Sequence, residues 1–197
     1  RGNSRFELKN HFPYLYNDSY IINKGGSLKN TELMATDSSG TIYMISLSDK
    51  IDSLVFDKYS HPPFFDYKDF DGDGAMDVLV VNGDNVDSDP YNTLKNYHGL
   101  RIYLNRGDAR FEEAYFYPLY GAFIAKSADF DNDGDLDIAA ISFYPDFSSD
   151  QREAFTYLEN QGGLEFAAYT NEDVMRGRWM TMDVGDIDSD NDVDVVL

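Results

Sequence analysis

The chain has 197 residues, long enough to bury a sizeable core and to form one domain or two. Its formal charge of −20 repels DNA, RNA and anionic lipid surfaces, and its 42% hydrophobic and 15% aromatic content argues against disorder. The absence of cysteine excludes disulfides, thiolate metal sites and cysteine nucleophiles, and fits any compartment.

No run approaches the length of apolar sequence that would insert into a membrane, and no basic-apolar leader opens the chain. The first residue is Arg1, and Val195-Val-Leu197 reads as part of a strand, so the expectation is a processed or excised piece of a longer protein.

Taken in order, the N-terminal segment reads as a degraded repeat. Thr41-Ile-Tyr-Met-Ile-Ser46 aligns with Arg101-Ile-Tyr-Leu-Asn105, and Ser53-Leu-Val-Phe56 with Phe111 to Phe116; Asp37-Ser-Ser-Gly40 supplies a hairpin turn. A run of aspartates then precedes an apolar strand, Val78-Leu-Val-Val81, followed by Leu100–Asn105 and, after a turn at Arg106-Gly-Asp108, by Phe111–Phe116. The order returns after a second run, with Ile138-Ala-Ala-Ile141, Ala154–Glu159, a Gly162-Gly163 turn and Leu164-Glu-Phe166. Each unit closes on a strand feeding the next run, Ala122-Phe-Ile-Ala125 in one and Trp179-Met-Thr-Met182 in the other. These segments are short, β-branched or aromatic and punctuated by Gly, Asn and Asp, with no sustained helical period. Four strands per unit is the arithmetic of a β-propeller blade.

The expected fold is therefore all-β: blades of four antiparallel strands in one segment, 1–197, of a larger propeller. The units are about 1–68 (degenerate), 69–128, 129–185 and 186–197 (truncated), and further blades are expected in the parent chain.

The three runs begin at Asp69, Asp129 and Asp186, spacings of 60 and 57 residues, and hold 14 of the 36 acidic residues. The candidate ligands are Asp69, Asp71, Asp73, Ala75 and Asp77; Asp129, Asp131, Asp133, Asp135 and Asp137; and Asp186, Asp188, Asp190, Asp192 and Asp194. Carboxylates this dense repel one another unless a cation sits among them. Side chains at positions 1, 3 and 5 of a tight loop can converge on one point. Position 6 must often take positive φ, which suits Gly74, Gly134 and, next best, Asn191. Ala75 has no side-chain ligand, so position 7 is read as a backbone carbonyl, and position 9 closes the site. Up to three structural calcium ions are expected, since calcium takes six to eight oxygens and magnesium keeps its waters. An EF-hand needs a glutamate at position 12 and flanking helices; here that position is Val80, Ala140 or Leu197. The plain alternative is metal-free turns in which aspartate caps local amides.

The loops, their period and the strand after each resemble the FG-GAP/VCBS repeats, which include the integrin α-subunit propeller and many bacterial secreted proteins. The resemblance covers about residues 30–197 and is specific at the loops. It implies a β-propeller with a structural calcium ion in each loop, held by Asp69, Asp71, Asp73, Asp77 and their counterparts. The first unit lacks the loop. Asn191 replaces the usual glycine, which implies weaker binding by the third loop.

Outside the loops, His11, His61 and His98 are scattered and read as surface loop residues, without zinc spacing. No Gly-x-Ser-x-Gly elbow or phosphate-binding loop occurs, so the chain is not read as an enzyme. Four aromatic segments, Phe12–Tyr16, Pro62–Phe65, Tyr115–Tyr120 and Phe143–Phe147, are expected to pack between blades, with an exposed sugar- or protein-binding rim as the rival. Arg176, Arg178 and Trp179 are ligand candidates near the axial opening, with pairing to aspartates as the plainer expectation. The reading is an extracellular, periplasmic or cell-surface calcium-binding scaffold for protein or carbohydrate. The alternatives are the propeller part of a carbohydrate-active enzyme such as a polysaccharide lyase, or a ligand-free spacer.

Overall fold

The computed structural model describes residues 15–23, 31–37, 42–46, 51–52, 64–83, 93–107, 110–150, 152–175 and 177–197. Every element among them is a strand, and every pairing is antiparallel. β1 (Leu15–Asn23), β2 (Thr31–Asp37), β3 (Ile42–Ser46) and β4 (Ile51–Asp52) form one four-stranded sheet in sequential order. β5 (Phe64–Lys68), β6 (Asp77–Asn82), β7 (Gly99–Asn105) and β8 (Phe111–Pro118) form a second. A third holds β9 (Ala122–Ala128), β10 (Asp137–Ser142), β11 (Phe155–Asn160) and β12 (Phe166–Tyr169), and β13 (Asp183–Gly185) pairs with β14 (Asp194–Val196). Each four-stranded sheet is the up-and-down meander of a propeller blade.

The two apolar strands after the Asp runs are covered on both faces. All six residues of β6 and all six of β10 are buried. Continuous burial explains why these strands read as unbroken Val, Leu, Ile and Ala rather than as alternation. Side chains still alternate about the pleat. Ile138 and Ala140 of β10 join Leu79, Val81, Leu100, Ile102 and Leu158 in the core between the second and third sheets. Ala139 and Ile141 point the other way, against Met182, with Trp179, Val195 and Leu197 packed alongside. The alanines let neighbouring sheets approach closely.

Polar contacts join the same two sheets. Asp66 Oδ2 on β5 accepts from the Ser127 amide at 3.0 Å and from its hydroxyl at 2.6 Å on β9. The Tyr117 hydroxyl donates to Glu153 Oε1 at 2.5 Å, and burial together with that carboxylate pushes the phenol well above its usual range. Tyr115 packs on Phe166 with ring centroids 4.6 Å apart, as expected for aromatics between blades. The chain passes from β8 to β9 through Gly121, whose φ is +66°; a Cβ there would lie 2.3 Å from the Tyr144 carbonyl oxygen.

Three features differ from the sequence reading. The sheets are offset by one strand from the sequence units: Ala122–Ala128 is hydrogen-bonded to Asp137–Ser142, so it opens the third sheet and each Asp run joins the first two strands of a sheet. The expected strand at Trp179–Met182 is replaced by the shorter β13 at Asp183–Gly185. Trp179 instead turns its indole N–H to the Val174 carbonyl at 3.0 Å. His98 is not a surface residue; it is 4% exposed beneath Tyr97, its backbone carbonyl accepting from the Leu119 amide at 3.1 Å. Residues 38–41, Ser53–Phe56, His11, His61, Phe12–Tyr14 and Pro62-Pro63 lie outside the described residues.

Truncating Leu79, fully buried at the centre of the inter-sheet core, is expected to cost about 2–5 kcal/mol of unfolding free energy by urea denaturation, because the packed sheets close incompletely over the cavity. Enlarging Ala140→Leu at the same interface is expected to cost about 1–3 kcal/mol through overpacking.

Candidate metal centres

The three Asp loops fold alike because the aspartates at positions 1, 3, 5 and 9 cap specific amides. The position-1 carboxylate spans the turn: Asp69 accepts from the amides of Gly72 and Gly74 at 2.9 Å each. Asp129 accepts from Asp133 and Gly134 at 3.1 Å each, and Asp186 from Ser189 at 2.7 Å and Asn191 at 3.2 Å. Position 3 accepts from the amide of position 5 at 3.3, 3.2 and 3.2 Å in the three loops. Position 5 accepts from position 7 at 2.7, 2.9 and 3.1 Å.

This winding places positions 4 and 6 in the left-handed region: Gly72 and Gly74, Asn132 and Gly134, Ser189 and Asn191 all have φ between 63° and 99°. Position 6 is as expected from the sequence, and Asn191 adopts the glycine conformation at φ 74°. Position 4 was missed, although Gly and Asn there are a recognisable signal; Ser189 at φ 68° has neither advantage.

In the first two loops the ninth aspartate is buried, 1% exposed at Asp77 and fully buried at Asp137, whereas Asp194 of the third is half-buried. Asp77 Oδ2 accepts from the Phe70 amide and Oδ1 from the Asn105 amide at the end of β7, both at 2.8 Å. Asp137 repeats this with Phe130 at 3.1 Å and Asn160 at 2.8 Å, and adds the Tyr157 hydroxyl at 2.8 Å. Asn105 and Asn160 extend the link. Their side-chain amides donate to the position-8 carbonyls of Met76 and Leu136, and their oxygens accept from Gly107 and Gly162 in the following hairpin turn. The repeated Asn-x-Gly was the unused sequence signal for this link.

One carboxylate oxygen each from Asp69, Asp71 and Asp77 lies within 4.8 Å of the others; Asp129, Asp131 and Asp133 do the same, as do Asp186, Asp188 and Asp194. Oxygens about 2.4 Å from one cation stand no more than about 4.8 Å apart, so each triad fits around a single hard ion, and the all-oxygen donor set suits calcium or magnesium. Asp73, Asp137 and Asp190 stand outside these triads, and each caps an amide. The carboxylate of Asp135 does not join its triad, and a Cβ at Gly162 would lie 3.8 Å from its Oδ2; Ala75, at the same position, donates its amide to Asp73.

Crowding leaves its mark on proton affinity. Burial pushes the Asp77 carboxyl up, against the lowering effect of its two amide donors, with the charges of Asp71 and Asp73 adding to the rise. Asp192 is raised by a side-chain hydrogen bond with Asp190 and by that neighbour's charge, whereas Asp190 is lowered by its amide donors. A divalent ion would oppose the upward shifts by favouring the ionised forms.

Residues 69–140, from the first loop through most of β10, match the family model described as FG-GAP-like repeat. Over that stretch the chain is similar to an FG-GAP-like repeat. The match spans one whole period of the repeat, from the first Asp loop through the second. No curated protein and no solved structure matches the chain.

The other candidate ligand residues fall elsewhere. Among the described residues, and contrary to expectation, Arg178 is not paired with an aspartate: its guanidinium lies over Phe147, Tyr144 and Phe143 at 4.9, 5.2 and 5.9 Å from the ring centroids. These rings follow β10, at the opposite end of the strand from its Asp loop. Arg176 lies outside the described residues.

Two substitutions separate the roles within the loops. In chelator, Asp137→Ala is expected to cost about 3 kcal/mol or more, since it orphans two backbone amides and a hydroxyl around a buried site. Ser189→Gly is expected to stabilise the fold by about 1 kcal/mol, because glycine adopts positive φ without the Cβ clash. Urea denaturation measures both.

Proposed function

We propose that the chain is a calcium-stabilised propeller segment working outside the cytoplasm as a scaffold that binds protein or carbohydrate. The observation that carries the metal part is the convergence of three carboxylates within 4.8 Å in each of three loops built on the same capping pattern. Turn capping engages both oxygens at position 1 but only one at position 3, and neutral amide donors leave the mutual repulsion of the carboxylate charges unbalanced. Calcium would offset that repulsion and add stability by binding the folded loops and not the unfolded chain. This role is structural: the loop aspartates are committed to loop geometry.

The binding part is supported by the opposite end of the third sheet. There Phe143, Tyr144 and Phe147 gather under Arg178, beside a hollow of about 70 Å³ lined by Tyr120, Pro145, Asp146, Ser149 and Glu153. Flat rings with adjacent hydrogen-bonding groups suit a sugar or a protein side chain. On this reading, incubation with acidic polysaccharides gives no ultraviolet-absorbing unsaturated product.

Saturating calcium is expected to raise the melting temperature by about 5–10 °C over chelator, from a stabilisation of about 2.7 kcal/mol at a hundredfold excess over Kd. Magnesium is expected to give a smaller shift, and an unchanged melting temperature in chelator would sink the proposal. The pH dependence has a definite sign. Asp77 is raised in the fold, so without metal its ionisation costs stability above its folded pKa, and the fold regains that stability as pH falls toward the unfolded value. Calcium needs the ionised form, so its increment should shrink on acidification, which melting curves at neutral and acid pH will show.

A further inference from the structure

Building on the calcium reading, we propose that Arg106 is a resident counter-charge of the first loop that competes with the ion there and sets that loop's affinity below that of the second. The Arg106 guanidinium reaches Asp71 Oδ2 through Nη1 at 3.5 Å and is held from the other side by Glu112, which accepts from Nε at 3.1 Å. Asp71 belongs to the first carboxylate triad, and its Oδ1 already accepts the Asp73 amide, so Oδ2 is the oxygen that faces the arginine. A cation at this oxygen and a cation among the triad draw on the same charge.

The second loop has the same position-9 anchor and similar caps, and among the described residues no arginine stands at the equivalent position. Its equivalent residue is Gln161, the middle residue of the second Asn-x-Gly, and its amide is turned to Glu159 at 2.7 Å. The two loops share the winding and the position-9 anchor but differ in which carboxylates converge, positions 1, 3 and 9 in the first and 1, 3 and 5 in the second, and in the positive charge that Arg106 places beside the first. In water-like surroundings, a unit charge about 6 Å from a divalent ion weakens its binding on the order of tenfold. The Arg106 side chain is 44% exposed, and an ion pair at that exposure is weak enough for calcium to displace it. The loops would then fill at different calcium concentrations, the second before the first, with Arg106 neutralising the first loop until its ion arrives.

Calcium titration of the whole chain by calorimetry, with melting curves in chelator, tests this. Arg106→Gln, which gives the first loop the residue of the second, is expected to tighten a weak class of sites about tenfold while slightly lowering the melting temperature in chelator. Arg106→Lys keeps the charge and is expected to leave the weak class weak; Gln161→Arg is expected to weaken a tight class. The opposite signs of the Arg106→Gln effects with and without calcium are what a merely structural arginine would not produce. Three bound ions with isotherms unchanged by Arg106→Gln would overturn the competition while leaving the calcium reading intact. No bound calcium in the unaltered chain would overturn the reading on which it rests.

Discussion

A carboxylate withdrawn from water must be met by donors, and the second and third sheets are organised around two that are, Asp77 and Asp137. Each holds the amide at the start of its own loop and the amide at the end of the third strand of its sheet. One side chain therefore fixes where the loop begins, where the second strand begins and where the third strand stops. Asn105 and Asn160 carry the constraint into the next hairpin through the position-8 carbonyls. The orientation of the remaining aspartates follows, since the loop has little freedom once both ends are pinned.

Charge is the counterpart of that constraint. Pinning the loop gathers carboxylates that would separate in an unfolded chain; the raised proton affinity of Asp192 records the crowding, and that of Asp77 records burial first, with the charges of Asp71 and Asp73 adding to it. A divalent ion, a proton or a neighbouring guanidinium can each relieve it. The same winding thus supports loops with different electrostatic surroundings, and Arg106 and Gln161 show that a single residue outside the Asp run varies them.

The loops, the repeat and most strands were legible because their signals are local. Alternating aspartates, glycine at position 6 and the buried runs Val78–Val81 and Ile138–Ile141 act within a few residues of themselves. What escaped depends on partners distant in sequence. A repeat has a period but no phase, so nothing in the residues 122–128 says whether they close one unit or open the next; only the pairing with Asp137–Ser142 decides. Trp179–Met182 looked like the counterpart of Ala122–Ala125, yet its indole and Met182 are taken up by a loop carbonyl and the core beside β10. Arg178 was read by charge alone, and the aromatic rings it covers come from a loop some thirty residues earlier.

The one-strand offset between sequence unit and sheet changes what counts as a separable piece. Residues 69–128 are one full repeat, but cut there they would lose β5, the strand to which β6 is bonded, and would keep β9, whose partner β10 is left behind. Such a fragment would carry two open backbone edges, each a template for a second copy. A cut between Pro118 and Ala122 instead falls between sheets, where the chain turns through Gly121. Duplication of these units by one period at any point would still restore every sheet, whereas an excised unit keeps its sheet whole only when both cuts fall between sheets.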